Sequence, residues 1–167
     1  FITKPSDVNP EYSDEGYVLP PLDVRWHEIP IHYGDTSDKT GQMQLFTEAA
    51  AGLKEAAEVK RNSIDQRVEK MKEIVESSPE EHFLLWHDLE SERKAILNAI
   101  PEVVDIYGSQ DYDLREKRVI DFAQGRINLF ATKKSISGSG CNFQCYCHRE
   151  IFLGIDYEFN DFIQAVH

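Results

Sequence analysis

Gly138 and Gly140 are residues whose bare backbones can hold a polar ligand rather than react with it. They lie in the stretch Ala131-Thr132-Lys133-Lys134-Ser135-Ile136-Ser137-Gly138-Ser139-Gly140-Cys141-Asn142-Phe143-Gln144, between the apolar runs Ile127–Phe130 and Ile151–Ile155. The runs read as buried strands. The stretch between them is too polar for a strand and too glycine-bearing for a stable helix, so it reads as a loop with room for one helical turn. In open α/β sheets such loops, at the carboxyl ends of strands, contact ligands. Glycines allow close backbone approach, and exposed amides suit phosphate oxygens. The competing reading is a glycine-rich connection without a ligand, and a lone G-x-G does not decide between them.

Other groups could do chemistry but fit poorly. Cys141, Cys145, Cys147 and His148 form C-x3-C-x-C-H, and a zinc site needs four converging ligands. Cys141 belongs to the loop and Cys147-His148 runs into a strand, so free thiols are the simpler reading and no metal is expected. A cysteine nucleophile needs a base beside it in space, which adjacency in sequence does not provide. Asp88, Glu90 and Glu92 resemble paired carboxylates, yet a helix cap and first turn explain them. Trp26 and Trp86 read as core before stacking platforms, and the scattered histidines as structural or exposed.

The chain has 167 residues, enough to bury one sizeable core, with 41% hydrophobic and 29% charged residues. No apolar run approaches the roughly 20 residues of a membrane span, and the first residues lack a signal-peptide core. The net charge of -12 argues against a broad basic nucleic-acid surface, but not against a narrow contact made by amides and a few cations. Three cysteines within one seven-residue window make a poor disulfide framework, which points to a reducing, cytoplasmic setting. Starting without Met and stopping at Val166-His167, the chain reads as a piece of a longer protein.

The elements that must position the loop follow from periodicity. Residues 1–21 read as an extended arm and 22–167 as one lobe truncated at its C-terminal end. Val24–Ile29 alternates like a strand ended by Pro30. From Gln42 to Glu76, Phe46, Ala49, Ala50, Leu53, Ala57, Ile64, Val68, Met71 and Val75 recur at helical spacing. The stripe lapses at Lys60-Arg61-Asn62, and Ser63-Ile64-Asp65-Gln66 fits a capping box, which favours two helices over one. The charged side reads as a solvated face. His82–Trp86 is a continuous apolar run suited to a strand buried on both sides. Asp88 is placed to cap the next helix, Val103–Tyr107 is a strand, Asp111 or Asp113 caps a helix through Phe122, and Gly125 is its C′ residue. Ile127–Ala131 and Ile151–Ile155 are strands, and Phe159–Val166 a last helix. This alternation predicts an α/β fold with a parallel sheet covered on both faces.

Three blocks then resemble the second, C-terminal RecA-like lobe of superfamily-two helicases and translocases. Gly108, Arg115, Phe122 and Gly125 repeat that lobe's glycine, arginine, phenylalanine and glycine at its spacings. Thr132–Phe143 looks like helicase motif five, and Gly138-Ser139-Gly140-Cys141-Asn142-Phe143 is similar to the G-x-G-x-N-L of Swi/Snf-type translocases, with DEAD/DEAH-type helicases also alike. Gln164-Ala165-Val166-His167 looks like the start of motif six, without its arginines. The resemblance covers about half the chain, from Glu81 to His167. The phosphate loop G-x-x-x-x-G-K-[ST] and the acidic box of the first lobe are not in this sequence.

The resemblance implies an ATP-dependent motor lobe that touches a nucleic-acid backbone, DNA by expectation, and completes an ATP and Mg²⁺ site with an N-terminal RecA-like lobe. It implies nucleic-acid contact for Trp86, His87, Ser109, Gln110, Arg115, Thr132, Lys133, Gly138 and Gly140, and nucleotide contact for Asn142 and Gln164. Amides and short donors suit sequence-independent backbone binding. Lys133 and Lys134 add positive charge, or are two solvated loop lysines. The alternative function is a non-catalytic acidic α/β interaction module. A dinucleotide-binding domain is disfavoured because no G-x-G-x-x-G follows a strand.

Overall fold

The computed structural model describes residues 5–15, 22–30, 59–138 and 141–154. The chain divides into two compact units, Phe1–Pro30 and Ile31–His167.

In the first unit a 3-10 turn spans Pro5–Asp7, and the Ser6 N–H and hydroxyl both donate to the Asp14 carboxylate, at 2.9 and 2.7 Å. The expected strand at Val24–Ile29 is not formed. Alternation makes a strand only where a ladder partner takes up the backbone groups. Here Leu22, Val24 and Trp26 are exposed, and Arg25 is turned onto Asp23 at 2.7 Å.

The second unit carries a sheet of β1 (Phe83–Trp86), β2 (Val104–Asp105), β3 (Leu129–Thr132) and β4 (Arg149–Phe152), in the spatial order β2-β3-β1-β4. Every pairing is parallel: Phe83 lies opposite Leu129 on one side and Arg149 on the other, and Val104 opposite Phe130. Because β1 is central, all four of its residues are buried, which accounts for its unbroken apolar run. The pleat sends Phe83 and Leu85 to one face and Leu84 and Trp86 to the other.

Helices cover both faces. On the first, α1 (Ile64–Glu76) presents Ile64, Val68, Met71 and Val75, and α2 (Glu90–Ala99) presents Ile96. On the second, α3 (Tyr112–Ala123) brings Phe122 against Phe130, ring centroids 4.8 Å apart, with Phe143 edge-on at 5.1 Å. Each fully buried aromatic or aliphatic side chain stabilises by about 1.5–3 kcal/mol. Among the described residues no helix is long and apolar enough to cross a membrane.

Helix ends follow local chemistry, with two corrections. Residues 59–62 are helical and the helix breaks at Ser63, as the lapse in the stripe predicts, but the capping box is not made. The Ser63 hydroxyl instead accepts from Arg67 Nε at 3.1 Å. Asp88 does not cap α2. Glu92 does, accepting the Asp88 and Leu89 N–H groups at 2.9 and 3.0 Å. Asp111 caps α3 through the Leu114 N–H, and Gly125 ends it at φ 70°, a conformation glycine adopts without strain. A β-carbon there would also meet Tyr146 at 2.6 Å. β2 and β4 are shorter or earlier than their apolar runs suggest, and the helix expected at Phe159–Val166 lies outside the described residues.

Arg67 is not on a solvated face. Its guanidinium donates to Glu92 Oε1 at 2.9 Å, to the Leu153 carbonyl at 2.6 Å and to the Lys60 carbonyl. The arginine side chain is 13% exposed and the Glu92 side chain 0%. Burial alone would raise the Glu92 carboxyl, but the Leu89 and Asp88 N–H groups and Arg67 outweigh it and hold it below its ordinary value. Removing one partner leaves a buried charge uncompensated, so Arg67→Ala or Glu92→Ala is expected to destabilise by about 3–5 kcal/mol. Arg67→Lys should recover little, because one ammonium nitrogen cannot span the acceptors that Nε, Nη1 and Nη2 of the guanidinium reach separately. Urea unfolding of the purified chain checks this, and a loss below about 1 kcal/mol would contradict the account.

Candidate functional site

A parallel sheet brings all strand carboxyl ends to one edge. At that edge β1 leads into His87-Asp88, β3 into Lys133-Lys134, β2 into Ile106-Tyr107-Gly108 and β4 into Leu153. The polar loop of the sequence starts here, and its helical turn is α4 (Lys134–Ser137). Thr132 is fully buried, its hydroxyl 3.1 Å from the Ser137 hydroxyl, so the loop is closed onto the strand end. Lys134 is buried with Nζ 3.6 Å from the Asp88 carboxylate, which Lys60 also binds. The reading of two solvated lysines therefore fails for Lys134, whereas Lys133 is half-buried.

Gly138 ends α4 at φ -73°, so no left-handed backbone requires glycine there. The requirement is space: a β-carbon would lie 2.5 Å from the Lys134 carbonyl oxygen. Gly140 and Gln164 lie outside the described residues. Asn142 is exposed, and its carboxamide oxygen accepts the Gln144 N–H at 3.2 Å. Phe143 then returns to the core.

Ser109 is exposed in the turn after β2, and Gln110 is half-buried with Oε1 unpartnered. Arg115, on the first turn of α3, holds its guanidinium 5.7 Å from the Tyr112 ring centroid. Trp86 presents no ring face to solvent: it is 2% exposed, stacks on Phe152 at 5.9 Å and donates its indole N–H to Glu150 at 2.9 Å. His87 is 1% exposed, and burial first, then Lys133 and Arg93, lower its pKa to about 4 against the pull of Glu92. The structure thus gathers Thr132, Lys133, Gly138 and His87 at the ends of neighbouring strands, with Ser109, Gln110 and Arg115 at the end of β2 and the start of α3.

Sequence reasoning missed a charged frame beside these residues. Asp105, at the end of β2, binds Arg93 at 3.4 Å and Arg118 at 3.5 Å, and Arg93 lies over the Tyr107 ring at 4.2 Å. Asp105 sits in an apolar strand run, which is the available signal that a buried acid needs partners.

Cys147 and Cys141 are not set up as nucleophiles. Cys147 is buried, donates to the Arg149 and His82 carbonyls, and burial pushes it up to about 11. Burial raises Cys141 too. A catalytic cysteine needs the opposite shift. Among the described residues no group of three His, Cys, Asp or Glu side chains could hold a metal ion.

No protein-family model matches the chain, and no curated protein does. Among solved structures the chain is similar to the crystal structure of the C-terminal part of the Fun30 ATPase domain, at 16% identity and a TM-score of 0.53. The match covers 60% of this chain and 35% of that one, so the chain spans about a third of the neighbour's length. The fold is RecA-like. At this identity the likeness carries the fold alone, and it agrees with the parallel sheet covered on both faces.

His87 makes the RecA-like unit acid-sensitive. Its folded pKa of about 4 lies below the ordinary 6.5, so the unfolded chain binds the extra proton. Its contribution to stability is full above pH 6.5 and is lost as pH falls toward 4. Thermal melts between those limits should show the decline, and His87→Leu should flatten it. An unchanged slope in the variant would contradict the assignment.

Proposed function

We propose that the chain is the C-terminal motor lobe of an ATP-dependent nucleic-acid helicase or translocase, acting most naturally on DNA. In this reading it holds the nucleic-acid backbone and completes, with an N-terminal RecA-like lobe, a site for ATP and Mg²⁺. The observation that carries it is the position of the Thr132–Phe143 loop. A segment resembling motif five follows the β3 carboxyl end of a RecA-like sheet, where that motif is expected to stand. Lys133 supplies the charge and Thr132 and Gly138 the fixed loop geometry. A few cations and amides can hold phosphates in a chain of net charge -12, because the contact is narrow. Asn142, exposed beyond the turn, is assigned the nucleotide contact in this reading. ATP and Mg²⁺, when bound, supply the γ-phosphoryl group and its charge-neutralising metal.

Two tests follow. The 167-residue chain alone is expected to hydrolyse no ATP, with or without DNA, since its sequence holds neither a phosphate loop nor motif-six arginines. Phosphate release above background that survives repurification would contradict this. In a protein carrying both lobes, Gly138→Val should weaken nucleic-acid binding, because the new side chain displaces the loop from the Lys134 carbonyl. Asn142→Ala, which removes one polar contact of about 1 kcal/mol, should keep folding and binding but lose nucleic-acid-stimulated hydrolysis. Binding isotherms and ATPase rates at one salt concentration check both. Wild-type behaviour in both variants would favour the interaction module instead.

A further inference from the structure

After α1 ends at Glu76, the chain turns through Ser77-Ser78-Pro79-Glu80-Glu81 before it enters β1. The Ser78 carbonyl accepts the Glu81 N–H at 3.1 Å, and Pro79 takes the second position of this turn, where its fixed φ fits. The two hydroxyls are used differently. Ser77 Oγ donates back to the Ile74 carbonyl at 2.7 Å, a local bond at the helix end. Ser78 Oγ instead accepts from Arg149 Nη1 of β4 at 3.3 Å.

Arg149 opens β4, lies opposite Phe83 of β1 in the register and holds its guanidinium 5.7 Å from the Phe83 ring centroid. Its Nη2 is 3.3 Å from Glu81 Oε1. Both contacts are long for charge-assisted bonds, and the arginine side chain is 45% exposed. The guanidinium fork is therefore aimed at the Ser78 oxygen but holds only a neutral hydroxyl and a loose carboxylate. A phosphate on that oxygen would give it the two-pronged pairing that a hydroxyl cannot.

The sequence supplies the other half. Ser78-Pro79 is the one place in the 167 residues where a serine or threonine precedes a proline. A hydroxyl followed directly by proline is what a proline-directed protein kinase takes as substrate. Ser77, Pro79 and Glu80 are exposed and Ser78 is half-buried, so the turn lies at the surface.

We propose that Ser78 is a phosphorylation site, and that Arg149 holds the phosphate and so fastens the amino end of β4 to the turn before β1. A protein kinase would transfer the γ-phosphoryl group of ATP. The bond from Ser78 Oγ to phosphorus forms, the bond from phosphorus to the β,γ-bridging oxygen breaks, ADP leaves with that electron pair, and the hydroxyl proton passes to the kinase. The added charge of about -1.5 to -2 is opposed by Glu76, Glu80 and Glu81 of the same segment and by the carboxyl end of α1. Glu81, 36% exposed, moves out to solvent as Arg149 changes partner. The effect is thus local to β4, which is an edge strand of the described sheet. The site does not depend on the motor-lobe reading.

To test this, the whole 167-residue chain is incubated with a proline-directed kinase and ATP. One phosphoryl group per chain is expected, mapped to Ser78 by fragmentation mass spectrometry, with none in Ser78→Ala and wild-type uptake in Ser77→Ala. Phosphorus NMR then reads the second ionisation of the phosphoserine. It should lie below its ordinary value of about 6 in the wild type and return toward that value in Arg149→Ala. Arg149→Lys, which keeps the charge but not the fork, should fall between. Hydrogen exchange of the β4 amides paired with β1 should slow on phosphorylation of the wild type and not of Arg149→Ala. No phosphate at Ser78, or equal uptake by Ser78→Ala, overturns the site. A phosphate that titrates alike with and without Arg149 overturns the fastening role.

Discussion

The Arg67–Glu92 pair is the constraint on which the described part of the lobe depends. One guanidinium joins α1, the start of α2, the residue after β4 and the backbone of the preceding helical turn. Its carboxylate partner is meanwhile the N-terminal cap of α2. Taking both charges out of water is unfavourable unless nearly every donor and acceptor is met. Here they are met, by side chains and backbones far apart in sequence. The arrangement therefore favours one packing of the helices on the sheet, since a shifted helix would strand a buried charge.

That constraint reaches the carboxyl edge of the sheet. Asp88 lies next to the Glu92-bound backbone and holds Lys134 of the loop and Lys60 of the preceding helical turn. Thr132 and Ser137 fasten the loop's other side. A loop that reads as polar and pliant is thus built on a framed base, with Gly138 at a point where a side chain would collide with it. Such framing suits a binding loop, because donors already in place lose less freedom when a ligand arrives.

The acidic net charge and the local cations are reconciled in the same way. Most of the cations described near this edge are matched: Arg67 to Glu92, Arg93 and Arg118 to Asp105, Lys60 and Lys134 to Asp88. Among the described residues Lys133 belongs to none of these pairs, and its charge acts on the His87 ring. The charge available to an anion is narrow and local, which composition cannot express.

By itself the sequence determined the features that depend on near neighbours or on a simple period. The apolar run Phe83–Trp86 reads as a strand buried on both faces, the spacing of Ile64, Val68, Met71 and Val75 reads as one face of a helix, and Asp111 and Gly125 carry the chemistry of helix ends. Together with the blocks around Gly108 and Gly138, these made the RecA-like fold legible. Tertiary structure decided the rest. Arg67 meets Glu92 across 25 positions and Leu153 across 86, so neither pairing leaves a local pattern. Asp88 looked like a cap because a cap is local chemistry, but a distant lysine and the Glu92 carboxylate claimed the roles differently. Val24–Ile29 alternates like a strand and is none, because a ladder needs a second strand and alternation supplies only half. Whether Trp86, His87, Thr132 and Lys134 face solvent or the interior was likewise undecided by residue type. Burial belongs to the packed elements around a side chain, which only the folded chain brings together.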